Sequence, residues 1–153
     1  METYQSQLLI LLNILIATVL SGVIGIEREQ LKKPAGLRTN MIVGSISCFF
    51  VAISPSLSNF IQANITSDLL SVDPIRVLQA IIVGISFIGA GTILKSKDEN
   101  TVQNLTTASS LLYSTGIGIS VALKAYIVAG GLTLLGLLIN YLSHWKKVKT
   151  QKK

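Results

Sequence analysis

Residues 8–26 are nineteen consecutive positions without a charged side chain, and the next thirteen positions hold six. A helix needs about 20 predominantly apolar residues to cross the hydrocarbon core of a bilayer, and this run supplies them. The stretch that follows, Gly25-Ile26-Glu27-Arg28-Glu29-Gln30-Leu31-Lys32-Lys33-Pro34-Ala35-Gly36-Leu37-Arg38-Thr39, carries four basic and two acidic groups before the chain turns apolar again. Short loops rich in Lys and Arg stay on the cytoplasmic side of a membrane, so this loop sets the direction of every later segment.

The rest of the composition agrees. Half of the residues are hydrophobic and 13% are charged, against about 25% charged in an average soluble domain. The net charge of +6 does not point to nucleic acid, because the charges sit in loops and the tail and form no basic stripe with interleaved aromatics. The single Cys48 excludes an internal disulfide and a cysteine metal cluster, and the single His144 excludes a multi-histidine site. Residues 1–7 carry one acid and no base, whereas a signal peptide opens on a positive segment, so the first run is expected to be a retained helix.

Five apolar spans follow in order, at residues 8–26, from about 36 to Pro55, then 77–94, 105–123 and 125–142. In the first, Asn13, Ala17, Ser21 and Gly25 recur at every fourth position and form one stripe of mostly small residues. Small stripes let helices approach closely in lipid, so this face is expected to pack. Pro34 suits a helix start and Gly36 a close turn. Pro55 either stops or kinks the second span. The polar segment 54–71 reads as an external loop. Asp73 suits a helix N-cap, with Pro74 at the first helical position. The third span contains Gly84, Ser86, Gly89, Ala90 and Gly91. Such glycine density suggests close helix contact or a broken helix lining a cavity. Gly89 and Gly91 are expected at close contacts, and Gly136 in a looser setting. The fourth span repeats the small stripe with Ser110, Ser114, Gly118 and Ala122, and Lys124 marks a tight turn. Tyr141 and Trp145 suit the membrane–water interface.

The domain reading is a membrane domain over 1–145 and a basic cytoplasmic tail over 146–153, lying on anionic lipid or disordered. The loop at 25–39, the polar turn at 95–104 and the tail together hold eleven Lys and Arg, and the opposite side holds Arg76 and Lys124. The expected fold is therefore an all-α bundle of about five transmembrane helices, N-terminus outside and C-terminus cytoplasmic. Small faces on two spans exceed the needs of one bundle and motivate a homo-oligomer.

No enzyme is expected. There is no Ser-His-Asp set, no phosphate-cradling loop and no metal-ligand spacing, so no cofactor or metal is assigned. The stretch Gly84-Ile85-Ser86-Phe87-Ile88-Gly89-Ala90-Gly91 does not match a dinucleotide loop. Candidate chemistry lies in a polar cluster near the span ends: Glu27, Arg28, Arg38, Thr39, Asp73, Arg76, Gln79, Asn104, Thr106 and Thr107. One reading makes these topology anchors, caps and ion pairs. The other brings Glu27, Arg28 and Arg38 against Asn104, Thr106 and Thr107 in a site open to the cytoplasm. For Asp73 capping is preferred; for Arg28 and Arg38 both readings stand.

Taken together, several of these pieces resemble the MgtC/SapB family of bacterial membrane proteins. They are Gly22-Val23-Ile24-Gly25-Ile26-Glu27-Arg28-Glu29, Lys33-Pro34-Ala35-Gly36-Leu37-Arg38-Thr39, Asp73-Pro74-Ile75-Arg76 with Gln79, the glycine stretch of 84–91, and Leu105-Thr106-Thr107-Ala108-Ser109-Ser110-Leu111. The resemblance is to the short form, without the soluble C-terminal domain of the best-known member. It implies a multi-pass protein of the bacterial inner membrane, tied to magnesium homeostasis and stress adaptation. The best-known member looks like a regulator that restrains the F-type ATP synthase, which makes a membrane protein partner an implied expectation. A small transporter or channel is the alternative. This sequence departs from the family pattern at Gln103-Asn104, where Arg-Gly is usual, and at Leu112, where Trp is common. Thr106 and Tyr113 stand where the best-known member has Asn and a functional Cys.

Overall fold

The computed structural model describes residues 4–64, 73–95 and 102–150. Five helices form the structure: α1 (Tyr4–Gln30), α2 (Leu37–Asn64), α3 (Pro74–Thr92), α4 (Leu105–Ala122) and α5 (Tyr126–Thr150). Between α3 and α4 two-residue strands, β1 (Leu94–Lys95) and β2 (Val102–Gln103), pair antiparallel with Leu94 opposite Gln103. The expected all-α fold thus carries one small hairpin, which turns the chain from α3 into α4.

The bundle is built on α1, α2 and α4, and small residues explain why. Asn13, Ala17, Ser21 and Gly25 are all buried, as their four-residue recurrence requires of one helix face. A Cβ on Gly25 would lie 2.6 Å from the Leu37 Cα. One on Gly44 would collide with the Ser21 hydroxyl, and one on Gly118 with the Gly44 carbonyl. The three backbones therefore meet almost directly, the close approach that small residues permit in lipid. Ala17, Ile24, Cys48, Ile117, Val121 and Ala129 form the main apolar cluster, and Val43, Ile81, Ile85 and Leu111 a second one beneath α3.

The outside is greasier than the inside. Leu8, Leu12, Leu15, Val19, Phe87 and Ile127 are exposed, while Asn40, Ser47, Thr107, Ser114 and Thr115 are buried. That distribution suits a hydrocarbon solvent, where polar groups must be satisfied within the protein. By length and composition α1, α2 and α3 are each sufficient to cross a membrane; the apolar part of α5, Tyr126–Tyr141, is shorter. The 18 residues of α4 have seven hydroxyls besides Tyr113, and it sits between the other helices rather than at the rim.

Three expectations need correction. Of the two readings of Pro55 the stop is ruled out, because α2 runs through it to Asn64. Proline removes the N–H that would bond the Val51 carbonyl. The Ser54 hydroxyl donates to that same carbonyl at 2.9 Å, so the vacancy is filled one residue away. More than half of the expected 54–71 loop is thus helix, and residues 65–72 lie outside the described ones. Second, α3 is continuous across Gly84–Gly91, so the broken-helix cavity is absent. Nothing approaches a Cβ on Gly84 or Gly91 within 4 Å, whereas Gly136, expected in a looser setting, faces Ile24 and Tyr113 at 2.8 and 2.9 Å. Third, Pro34 lies three residues ahead of α2 and does not start it. Helix α5 runs through Thr150, into the basic segment 146–153. The middle of the polar turn, 96–101, and the tail end, 151–153, lie outside the described residues.

Candidate functional site

Arg28 closes α1, where a cation complements the helix dipole. Its residue is only 4% exposed. The guanidinium crosses to the first turn of α4: Nη2 donates to the Thr107 hydroxyl at 2.5 Å and Nη1 to the Thr106 hydroxyl at 3.4 Å. A third bond, from Nη2 to the Pro34 carbonyl at 3.3 Å, holds the α1–α2 loop against it. Lys32 and Ala35 take left-handed backbone, φ 51° and 55°, which folds that loop back on itself. Arg28 Nε is buried and has no hydrogen-bond partner.

The neighbouring acids serve other partners. Glu29 accepts from the Leu37 N–H at 3.0 Å and so caps α2. Glu27 accepts from Asn140 Nδ2 at 2.5 Å and joins α1 to α5. The Arg28 guanidinium therefore bonds only neutral oxygens, with the Glu27 carboxylate near enough to attract it but not bonded to it.

Behind Arg28 lies a residue that sequence reasoning passed over. Asn40 is fully buried. Its Nδ2 donates to the Ala35 and Gly36 carbonyls at 2.6 and 2.9 Å, and its Oδ1 accepts from the Ser114 hydroxyl at 2.8 Å. The Ser21 hydroxyl reaches the Ser114 carbonyl at 3.5 Å. Asn40, Ser114 and Ser21 thus tie loop, α2, α4 and α1 together, and the loop carbonyls of Pro34, Ala35 and Gly36 stand between this group and Arg28. The available signal was weak: a lone Asn one position past Thr39, on a helix whose burial the sequence alone did not fix.

The other candidates divide by place. Asn104 joins this end: it has φ 63°, and its Nδ2 donates to the Thr92 carbonyl at 3.1 Å, fastening the end of α3 to the start of α4. Arg38 and Thr39 are exposed and have no polar side-chain partner among the described residues. The expected approach of Arg38 to the α4 threonines does not occur. Gln79 is exposed on α3. Asp73 and Arg76 lie at the far end of α3, about 28 Å from Thr92 by helical rise. There Asp73 Oδ1 accepts from the Ile75 N–H at 2.9 Å, the expected cap. Its Oδ2 lies 3.9 Å from Arg76 Nε, an exposed pair of small consequence. Gly89 meets Ala108 at 3.3 Å from an added Cβ, a packing contact rather than a cavity wall.

Near that far end, between α1, α2, α3 and the α4–α5 turn, is an open cavity of about 440 Å³ lined by Leu9, Asn13, Val51, Pro55, Pro74 and Lys124. Asn13 accepts from the Tyr126 hydroxyl at 2.9 Å beneath it. Among the described residues no group of three His, Cys, Asp or Glu side chains gathers in metal-binding geometry.

The MgtC family pattern matches residues 14–148. Relatives include Protein SapB of Bacillus subtilis, 34% identical over 76% of this chain and 49% of its own length. The putative magnesium transporter YhiD of Escherichia coli is 34% identical over 76% of this chain and 52% of its own. Protein MgtC of Salmonella typhimurium is 33% identical over 86% of this chain and 51% of its own. The chain spans about half the length of the curated relatives it matches. No solved structure matches it. With the match covering most of its length, the chain belongs to the MgtC family.

Proposed function

We propose that this chain is a multi-pass protein of the bacterial inner membrane that acts in magnesium homeostasis and stress adaptation by engaging a membrane partner. In this reading it does not conduct Mg²⁺. Five helices span the bilayer with the N-terminus outside and the C-terminus cytoplasmic, the basic tail continues α5, and the protein assembles as a homo-oligomer. The observation that supports the reading is the nature of the interior. Among the described residues its one buried charge is the cation Arg28, and the remaining buried polar groups are hydroxyls and amides, most of them bonded to carbonyls or to one another. A divalent cation takes several oxygen ligands, with carboxylates prominent among them. Among the described residues Arg28 adds a like charge to that interior, and no carboxylate is buried with it.

The alternative is transport of an ion or small solute, favoured by the name of the relative YhiD and by the buried polar side chains of Asn40, Ser114 and Ser21. Purified protein in liposomes loaded with a magnesium-sensitive dye separates the two. No saturable Mg²⁺ flux is expected above that of empty liposomes. Robust flux abolished by Thr107→Val would reverse the choice.

A further inference from the structure

We propose that the Arg28 end of the bundle is a phosphate site, in which the guanidinium and the N-terminus of α4 bind one phosphate oxyanion. This stands on the geometry of that end and is independent of whether the chain regulates or transports.

Three observations meet there. The first is a buried charge with no carboxylate bonded to it: Glu27 lies near enough to attract it, but its own bond goes to Asn140. Arg28 is 4% exposed, and its three side-chain bonds all go to neutral oxygens. The one ion pair among the described residues is Asp73–Arg76, at the other end of α3. A charge taken from water is costly unless paired, and a guanidinium presents five donors in a planar fork. Here Nε is left without a partner.

The second observation is the end of α4 itself. The helix is 18 residues long, and its N-cap, Asn104, has left-handed backbone and makes no side-chain cap. Its amide is spent instead on the Thr92 carbonyl. A helix N-terminus carries partial positive charge and unsatisfied N–H groups. Arg28 is thus aimed at a second positive centre. Two such centres side by side repel each other when empty and together suit an anion.

The third is the chemistry and access of the contact. Thr106 and Thr107 accept from Arg28 through their oxygens, which leaves both hydroxyl protons to donate to an oxyanion. Thr107 is fully buried but Thr106 is exposed, so the site opens on the Thr106 side, where Nη1 points. A guanidinium fork, two hydroxyls and helix N–H groups match the several acceptor oxygens of phosphate better than the two of a carboxylate. Two sources offer that group at a helix end: free inorganic phosphate and the headgroup of an anionic lipid.

The test uses the full chain, purified in a non-ionic detergent and delipidated. One arm titrates inorganic phosphate, the other a short-chain phosphatidylglycerol, each read by thermal unfolding and by native mass spectrometry for retained ligand. Saturable stabilisation in at least one arm is expected, weakened at least tenfold by Arg28→Gln and several-fold by Thr106→Val. A response to inorganic phosphate identifies the free anion; a response to the lipid alone identifies the headgroup. If Arg28→Gln does not fold, the exposed Thr106→Val decides by itself. The absence of saturable stabilisation in both arms, or equal stabilisation in the folded variants, overturns the proposal.

Discussion

Helices α3 and α4 are both rich in small residues, and they use them in opposite ways. On α4, Thr107, Ser110, Ser114, Thr115 and Gly118 are buried, facing α1 and α2. On α3 only Ile81, Ile85 and Gly89 are buried, one line along an otherwise open helix. Gly84 and Gly91 meet nothing within 4 Å, whereas a Cβ on Gly118 would strike the Gly44 carbonyl. The difference teaches that a small residue in a membrane helix has meaning only through what faces it. In α4 small size lets two backbones meet; in α3 it leaves a helix edge bare.

The strongest way to break this contrast is at the α2–α4 crossing. Gly118→Leu should destabilise the protein by about 3 kcal/mol or more, because the backbone it meets cannot move aside as a side chain can. Gly136→Leu should follow it, since Ile24 and Tyr113 stand close but are mobile at their tips. Unfolding in mixed micelles with a graded denaturing detergent measures both. Normal stability of Gly118→Leu would mean that the α2–α4 crossing is not where the structure puts it.

Next comes the buried polar group of Asn40, Ser114 and Ser21. Asn40→Ala removes two donated bonds to the α1–α2 loop and the acceptor of the Ser114 hydroxyl. A loss of about 1–3 kcal/mol is expected, the range for buried groups left unpaired. Ser114→Ala alone should cost less, because the Asn40 amide keeps both its donated bonds. A double-mutant cycle in the same unfolding assay checks the coupling, and strict additivity would show that the bond carries no weight.

A smaller effect is expected at the proline. Ser54→Ala strips the hydroxyl from the Val51 carbonyl that Pro55 leaves unpaired, at a cost of about 1 kcal/mol. Ser54→Thr should retain the bond. If Ser54→Ala is silent and Pro55→Ala is also silent, the hydroxyl is not compensating for the proline.

These cases mark what the sequence could reveal. The stripe of Asn13, Ala17, Ser21 and Gly25 was legible because a four-residue period projects onto one helix face whatever the partner. The Asp73 cap and the Lys124 turn were legible because each depends on residues within one turn of chain: Lys124 has φ 59°, and Asp73 bonds the residue two ahead. The passage of α2 through Pro55 was legible only as one of two readings, since proline is a breaker until a neighbouring hydroxyl is seen in place. The contact of Arg28 with Thr106 and Thr107 was within reach as one of two readings, but Arg38 was grouped with it and stands exposed. Charge near a span end does not say which way a side chain turns. Asn40 escaped because its importance comes from Ser114, 74 residues away.

The smallest expected effect is the sharpest test of the α3–α4 contrast. Gly84→Leu and Gly91→Leu add bulk where nothing lies within 4 Å. Leu is a better helix former than Gly by roughly 0.5–1 kcal/mol in exposed helix interiors, so the isolated chain should be unchanged or slightly firmer. The proposed homo-oligomer makes the outcome informative. Exposed Phe87 and Ile88 lie between the two glycines on the same helix, and lipid or a second copy of the chain must cover them. If lipid covers α3, size-exclusion profiles and unfolding both stay normal. If a second copy packs its backbone against Gly84 and Gly91, the oligomer dissociates while the monomer keeps its stability. A monomer that loses stability in either variant would mean that α3 packs into its own bundle more deeply than Ile81, Ile85 and Gly89 indicate, and the contrast with α4 would fall.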